Sequence, residues 1–161
     1  MEFMQRLEKA VDRGRRAQDA KAKEEAQRLL TEEEFRSVHS QLRIELSEHI
    51  ESCLQQLPQV FPGFEKSDLV GDLGWGAKVS RDDVGVGADA KRENFFSRLE
   101  MGVRPFSSVH VLELAAKGTI RNKEVFNRTH FQRLEEADLD SFRELVDLWV
   151  LEYAELYART A

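Results

Sequence analysis

A polar set in the second half of the chain contains the residue types that bind anions and transfer protons. Arg98, Glu100 and Arg104 alternate with apolar residues, which places them on one face of a predicted strand. Arg128 and His130 have the same spacing on a later predicted strand. If these strands are neighbours, the five side chains form one polar face that holds an anionic ligand, with His130 as a general acid or base. The same pattern is also typical of a solvated sheet face with ordinary cross-strand charge pairs.

Glu113 lies inside the most apolar predicted strand, between Leu112 and Leu114. A buried carboxylate requires a partner, because an unpaired charge is expensive to remove from water. Arg98 and Arg121 are the candidate partners, and the pair is either structural or part of a binding site.

Three metal-ligand residue types, Glu45, His49 and Cys53, lie four residues apart on one face of a predicted helix. Cys53, however, is surrounded by Leu46 and Leu54, in a position that suits a small apolar residue. The sequence has no second cysteine or paired motif to complete a site. We therefore expect no metal and no cofactor. No serine has the sequence context of a nucleophile, so no catalytic residue is predicted.

The clearest pattern in the chain is an amphipathic helix at residues 138–158. Its apolar residues recur at spacings of three and four and form one broad stripe. They are Phe142, Leu145, Val146, Trp149, Tyr153, Leu156 and Tyr157. Such a stripe requires an apolar partner, and the preceding strands are the natural one. Trp149 and Tyr153 either belong to the core or line a small-ligand pocket between sheet and helix.

The segment between the helices predicts antiparallel strands. Residues 94–106 alternate between apolar and polar, whereas residues 109–116 are apolar on both faces and predict a central strand covered on both sides. The remaining strand candidates are 69–70, 77–80, 119–121 and 124–131. We therefore predict an α+β fold, with N-terminal helices, an antiparallel sheet of three or four strands and a long C-terminal amphipathic helix that covers the sheet.

The N-terminal sequence pattern predicts a charged helical arm at residues 1–30, which is attached to a single α+β domain at residues 31–161. Helix-forming residues dominate the arm, but its apolar positions are sparse, so it requires a partner. Thr31 and Glu34 form a capping box, which predicts a second helix that begins at Thr31 and is ended by Pro58 and Pro62. A single unbroken helix over both segments is the alternative.

Composition narrows the class of protein. The 161 residues are 41% hydrophobic, enough for one domain with an appendage. The net charge of -6 makes nucleic acid an unexpected partner. The sequence contains 24 basic and 30 acidic residues. Residues 1–30 contain eight basic and six acidic residues, so residues 31–161 contain 16 basic and 24 acidic residues. We expect a cytoplasmic protein without a membrane partner, because the chain has one cysteine, no signal-peptide pattern and no run of ~20 apolar residues.

These patterns favour a protein-interaction module without catalytic activity, which binds a protein partner or itself as a homo-oligomer. The alternative is a small-ligand-binding protein or enzyme, with its pocket between the sheet and the C-terminal helix. The predicted ligand-binding residues are Arg98, Glu100, Arg104, Glu113, Arg128, His130, Trp149 and Tyr153.

Overall fold

The computed structural model describes residues 2–71, 74–86 and 89–160, and at residues 27–30 it describes the backbone alone. In this part of the chain a long helix precedes five strands and a second helix. The chain divides into two compact units, Met1–Ser37 and Val38–Ala161. Among the described residues, no helix combines the length and apolar character that crossing a membrane requires.

The first unit is helical throughout its described part. Helix α1 spans Phe3–Val60 and is continuous at Thr31, so the unbroken helix is observed instead of a second helix that begins there. The capping sequence at Thr31 lies within this helix, where the preceding turn already supplies partners for the backbone N–H groups. Every described side chain in residues 2–26 is exposed.

Residues 38–60 of α1 belong to the second unit and carry an apolar stripe. Its buried residues are Leu46, Ile50, Leu54 and Leu57. Pro58 and Pro62 were predicted to end the helix, and α1 ends between them at Val60. Pro58 lies in the last turn, where its missing N–H removes a single hydrogen bond and the helix ends soon afterwards.

Five strands form one antiparallel sheet in the sequential order β1-β2-β3-β4-β5. They are β1 (Glu65–Gly71), β2 (Gly74–Val86), β3 (Arg92–Val103), β4 (Val111–Ile120) and β5 (Lys123–Arg133). The predicted α+β fold is confirmed, with one strand more than the three or four expected. The least clearly predicted strand is β1, a short edge strand that the sequence indicated only at residues 69–70, because its polar residues give little apolar alternation.

One face of the sheet forms the core with the two helices. Leu99, Met101 and Val103 of β3 are buried, as their alternation predicted. Met101 lies between Ala77 of β2 and Ala116 of β4, so the three strands present their apolar side chains to the same face.

β4 is not covered on both sides, so that prediction is wrong. Leu112, Leu114 and Ala116 are buried, but the alternate residues of the strand are only half buried and Val109 lies outside it with 69% exposure. Alanine and valine on the second face are apolar but small, so they produced an unbroken apolar pattern without being covered.

β4 and β5 are joined by a tight turn at Arg121 and Asn122, which have φ angles of 47° and 70°. Two successive positive φ values are typical of a type I′ hairpin. Asn122 fixes this turn to β3, since its side-chain Oδ1 accepts a hydrogen bond from the Phe96 N–H and its own N–H donates to the Phe96 carbonyl, both at 2.9 Å.

Helix α2 spans Leu139–Thr160 and packs on the core face of the sheet. Asp138 caps its N-terminus, because its Oδ1 accepts a hydrogen bond from the Asp140 N–H at 3.2 Å. The predicted covering helix is therefore confirmed. Its buried residues are Phe142, Val146, Trp149, Tyr153 and Tyr157.

Candidate functional site

Four of the predicted ligand-binding residues lie on the side of the sheet opposite the core, here called the open face. Arg98 Nη1 lies 3.1 Å from Glu100 Oε1, and Arg104 Nε lies 3.2 Å from Glu113 Oε1. All four side chains are between 25% and 43% exposed. The open face therefore carries neutralised, solvent-screened ion pairs, which typically contribute about 0–1 kcal/mol each.

Glu113 is less buried than the sequence predicted, and its ion-pair partner is Arg104 rather than Arg98 or Arg121. The chain reverses between β3 and β4, and the Arg104 N–H donates to the Glu113 carbonyl at 2.9 Å, which places the two residues side by side. The Arg121 guanidinium instead stacks 4.4 Å from the centre of the Phe95 ring.

Arg128 and His130 lie on the core face, so the structure does not bring them together with Arg98 and Glu100. Arg128 lies opposite Ala116 in the β4–β5 pairing. Its guanidinium forms a bidentate ion pair with Glu152 of α2, in which the Nη2–Oε1 distance is 3.0 Å. The hydrogen bond from Arg128 lowers the pKa of Glu152. The His130 ring packs edge-on against Phe142 with 5.2 Å between ring centres.

Trp149 and Tyr153 are core residues of α2, apart from the open-face set. Tyr153 is fully buried, and its hydroxyl donates a hydrogen bond to the Thr119 carbonyl at 2.8 Å. Burial raises the pKa of Tyr153 well above its usual range, and the neighbouring Tyr157 adds to the shift. The eight predicted residues are thus divided among the open face, the core face of β5 and the interior of α2.

A different cluster forms where α1 packs beside α2. His49 and Cys53 lie one turn apart on α1, and Asp147 reaches them from α2. Asp147 Oδ1 lies 2.8 Å from His49 Nε2 and 3.3 Å from Cys53 Sγ, while the sulfur lies 3.6 Å from His49 Nε2. The His49 side chain is 27% exposed and that of Asp147 51%, so the cluster is open to solvent.

The electrostatics of this cluster favour the protonated thiol of Cys53 in the metal-free chain. Burial raises the pKa of Cys53 to about 12, and a hydrogen bond to Asp147 together with its negative charge adds to the shift. Cys53 is therefore a protonated thiol that donates to the carboxylate, and thiols in that state are poor nucleophiles.

An open apolar groove of about 380 Å³ adjoins the cluster. Leu57, Val60 and Phe61 line it from the α1 side, and Val150 and Leu151 line it from α2. Val60 and Leu151 are 70% and 65% exposed, so the groove is wide at its mouth. Cys53 and Asp147 form its polar end.

Comparison of the chain with protein-family models, with curated proteins and with solved structures finds no match. The site is therefore interpreted from its own geometry.

The sequence pointed to two members of the cluster but not to the third. His49 and Cys53 were recognised on one helix face together with Glu45, which is not in the cluster. Asp147 is 94 residues beyond Cys53. The available signal was its position next to Val146, where a charged residue borders the buried stripe of α2.

The burial of His39 is expected to make the free energy of unfolding depend on pH near neutrality. It is buried on α1, and its Nε2 lies 3.2 Å from the Arg104 carbonyl oxygen. Burial lowers the pKa of His39, and the positive charge of Arg43 lowers it further, against the opposing effect of the hydrogen bond to Arg104. The unfolded chain therefore binds a proton more readily than the folded one as the pH falls below about 6.5.

We expect the free energy of unfolding to decrease as the pH is lowered from about 7.5 to 5, and to decrease less in His39→Gln. Urea unfolding of both proteins across this range measures the difference. The variant keeps every carboxylate and so controls for their titration. Equal pH slopes for the two proteins would contradict the burial of a neutral His39.

Proposed function

We propose that this protein is a protein-interaction module that self-associates, with two copies paired antiparallel through residues 3–37 of α1. The observation that carries this proposal is an exposed apolar stripe. Phe3, Met4, Leu7 and Val11 are 76%, 60%, 46% and 44% exposed. Helices in water are stabilised chiefly by packing an apolar face, so this stripe requires a partner surface.

The charge distribution of the same helix favours a second copy as the partner. Residues 5–23 contain seven basic and three acidic residues, a net charge of +4. Residues 24–34 contain one basic and five acidic residues, a net charge of -4. A parallel pair would place like charges side by side, whereas an antiparallel pair places each basic half beside an acidic half.

Charged residues at the edges of the apolar stripe support the same arrangement. With about 100° of rotation per residue, Arg15, Lys21, Glu25 and Glu33 all lie within about 60° of the centre of the stripe. In a register that sets Val11 opposite position 29 of the second copy, Arg15 lies opposite Glu25. Helices that pack in contact are about 8–10 Å apart, within the distance at which such charges interact at physiological salt.

Deletion of residues 1–30 is expected to abolish self-association and leave the second unit folded, because the buried side chains of the described residues begin at His39. Sedimentation equilibrium of the deletion variant and the full chain measures assembly, and circular dichroism with urea unfolding measures folding. A dimer that persists after deletion would locate the interface elsewhere. A molten product that binds a hydrophobic dye would show that residues 1–30 belong to the core.

A second candidate function is the binding of a small ligand, and it is favoured by the groove between α1 and α2. Its volume of about 380 Å³ lies within the ~300–1,000 Å³ that is typical of ligand pockets, and its lining is mainly apolar. This location differs from the space between sheet and helix that the sequence indicated, where Tyr153 is fully buried.

A further inference from the structure

The side chains of His49, Cys53 and Asp147 form a triangle with the dimensions of a metal coordination shell. Tetrahedral Zn²⁺ sites, with ligand bonds of about 2.0–2.3 Å, separate neighbouring ligand atoms by roughly 3.3–3.6 Å. The sulfur–nitrogen and sulfur–oxygen distances are 3.6 and 3.3 Å, and the nitrogen–oxygen distance is 2.8 Å. Only the His49–Asp147 edge must lengthen, by about half an ångström, to accept the ion.

We propose that His49, Cys53 and Asp147 bind one Zn²⁺ ion, which keeps a fourth coordination position open toward the groove between α1 and α2. The proposal is independent of self-association, because it rests on residues of the second unit alone. One sulfur, one imidazole nitrogen and one carboxylate oxygen suit zinc, whereas magnesium and calcium prefer shells made of oxygen alone.

The positions of the three side chains favour a metal over a simple hydrogen-bonded pair. A His49–Asp147 ion pair does not require a thiol, yet Cys53 Sγ lies within 3.6 Å of both partners. His49 and Cys53 share one face of α1 through their four-residue spacing, and buried residues beside the cluster, Ile50 and Leu54 on α1 and Val146 on α2, anchor both helices in the core. The ligand atoms are therefore held by rigid elements, which limits the reorganisation required on binding.

The open coordination position determines which class of ligand the zinc site binds. Three protein ligands leave room for water or for an exchangeable ligand, as in zinc sites that bind small molecules. Asp147 and Cys53 also line the groove, whose remaining walls are mainly apolar. The ligand class that fits is an apolar molecule with a metal-binding head group, such as a carboxylate or a thiolate.

Titration of the full-length, chelator-treated and reduced protein with Zn²⁺ tests the site by isothermal calorimetry. We expect one ion per chain. Replacement by Co²⁺ is expected to give the absorption bands of a thiolate-bound, four-coordinate ion, and these bands should be lost in Cys53→Ser. This spectrum reports the Cys53 ligand itself, independently of any effect on folding.

Three single variants, Cys53→Ser, His49→Gln and Asp147→Asn, are each expected to weaken Zn²⁺ binding by at least ~100-fold, since loss of an outer-shell partner alone costs about 10–100-fold. Glu48→Gln is the matched control, because it removes a carboxylate next to His49 on the exposed side of α1. Circular dichroism checks that each variant is folded.

The proposal is overturned if the full chain binds no Zn²⁺, if Glu48→Gln weakens binding as much as the three variants, or if the Co²⁺ spectrum persists in Cys53→Ser. Sedimentation of the same variants separates this result from self-association. Loss of zinc binding with unchanged assembly supports an independent metal site.

Discussion

Tyr153→Ala is expected to lower the free energy of unfolding by about 5 kcal/mol, which is enough to unfold many domains of this size. Tyr153 is fully buried, and its ring lies 6.4 Å, centre to centre, from each of Phe64, Phe126 and Tyr157. Truncation leaves a cavity among three aromatic rings. It also leaves the Thr119 carbonyl without the hydroxyl that donates to it at 2.8 Å.

Two control variants separate these contributions. Tyr153→Phe keeps the ring and is expected to cost only about 1–2 kcal/mol for the lost hydrogen bond. Phe131→Ala removes a ring of similar size that is 63% exposed, and its expected cost is below about 1 kcal/mol. Urea unfolding of the three variants gives all values. A cost under about 1.5 kcal/mol for Tyr153→Ala would show that α2 does not pack on the sheet as described.

Reversal of the charges beside the apolar stripe is expected to weaken self-association by about 30-fold. Arg15→Glu with Lys21→Glu replaces attraction by repulsion at both symmetry-related contacts of the proposed pair. With about 0.3–0.5 kcal/mol per exposed charge contact, the total is roughly 2 kcal/mol. Glu25→Lys with Glu33→Lys is expected to have a similar effect. Because these charges are exposed, the effect should shrink as salt is added.

The matched control for these variants is Lys9→Glu with Arg13→Glu. It makes the same change in net charge as Arg15→Glu with Lys21→Glu, but both positions lie on the side of the helix away from the stripe. Its expected effect on assembly is therefore much smaller. Sedimentation equilibrium at two salt concentrations compares the three double variants. An equal effect of the control would mean that overall charge, rather than the proposed contact, governs assembly.

The fold was predictable because the sequence patterns that indicate its helices and strands are local. The stripe of α2 and the alternation of β3 arise from side chains within a few turns or residues of each other, and both were correctly assigned. β1 was predicted weakly because an edge strand with polar residues buries little apolar surface. The coverage of β4 was mispredicted because small apolar residues do not reveal whether another layer lies above them.

The candidate sites depended on information that a single sequence does not contain. Arg98 and Arg128 were expected on one face, but a shift of register by one residue moves a side chain to the opposite face of a sheet. The cluster at Asp147 depends on which side of α2 faces α1, and that is decided by packing between helices far apart in sequence. Local periodicity predicts which face of a helix or strand carries a residue, but it does not predict which element packs against that face.

A mixed sample of the two complementary charge variants tests most directly the central claim that two copies pair through residues 3–37. In the proposed register, combining Arg15→Glu/Lys21→Glu with Glu25→Lys/Glu33→Lys sets the Arg15→Glu substitution opposite the Glu25→Lys substitution in one half of the pair and keeps Arg15 opposite Glu25 in the other. Sedimentation equilibrium of the equimolar mixture should recover the assembly of the unmodified chain, although each variant alone associates about 30-fold more weakly. A mixture that remains monomeric, or variants that associate fully when alone, would contradict pairing through residues 3–37.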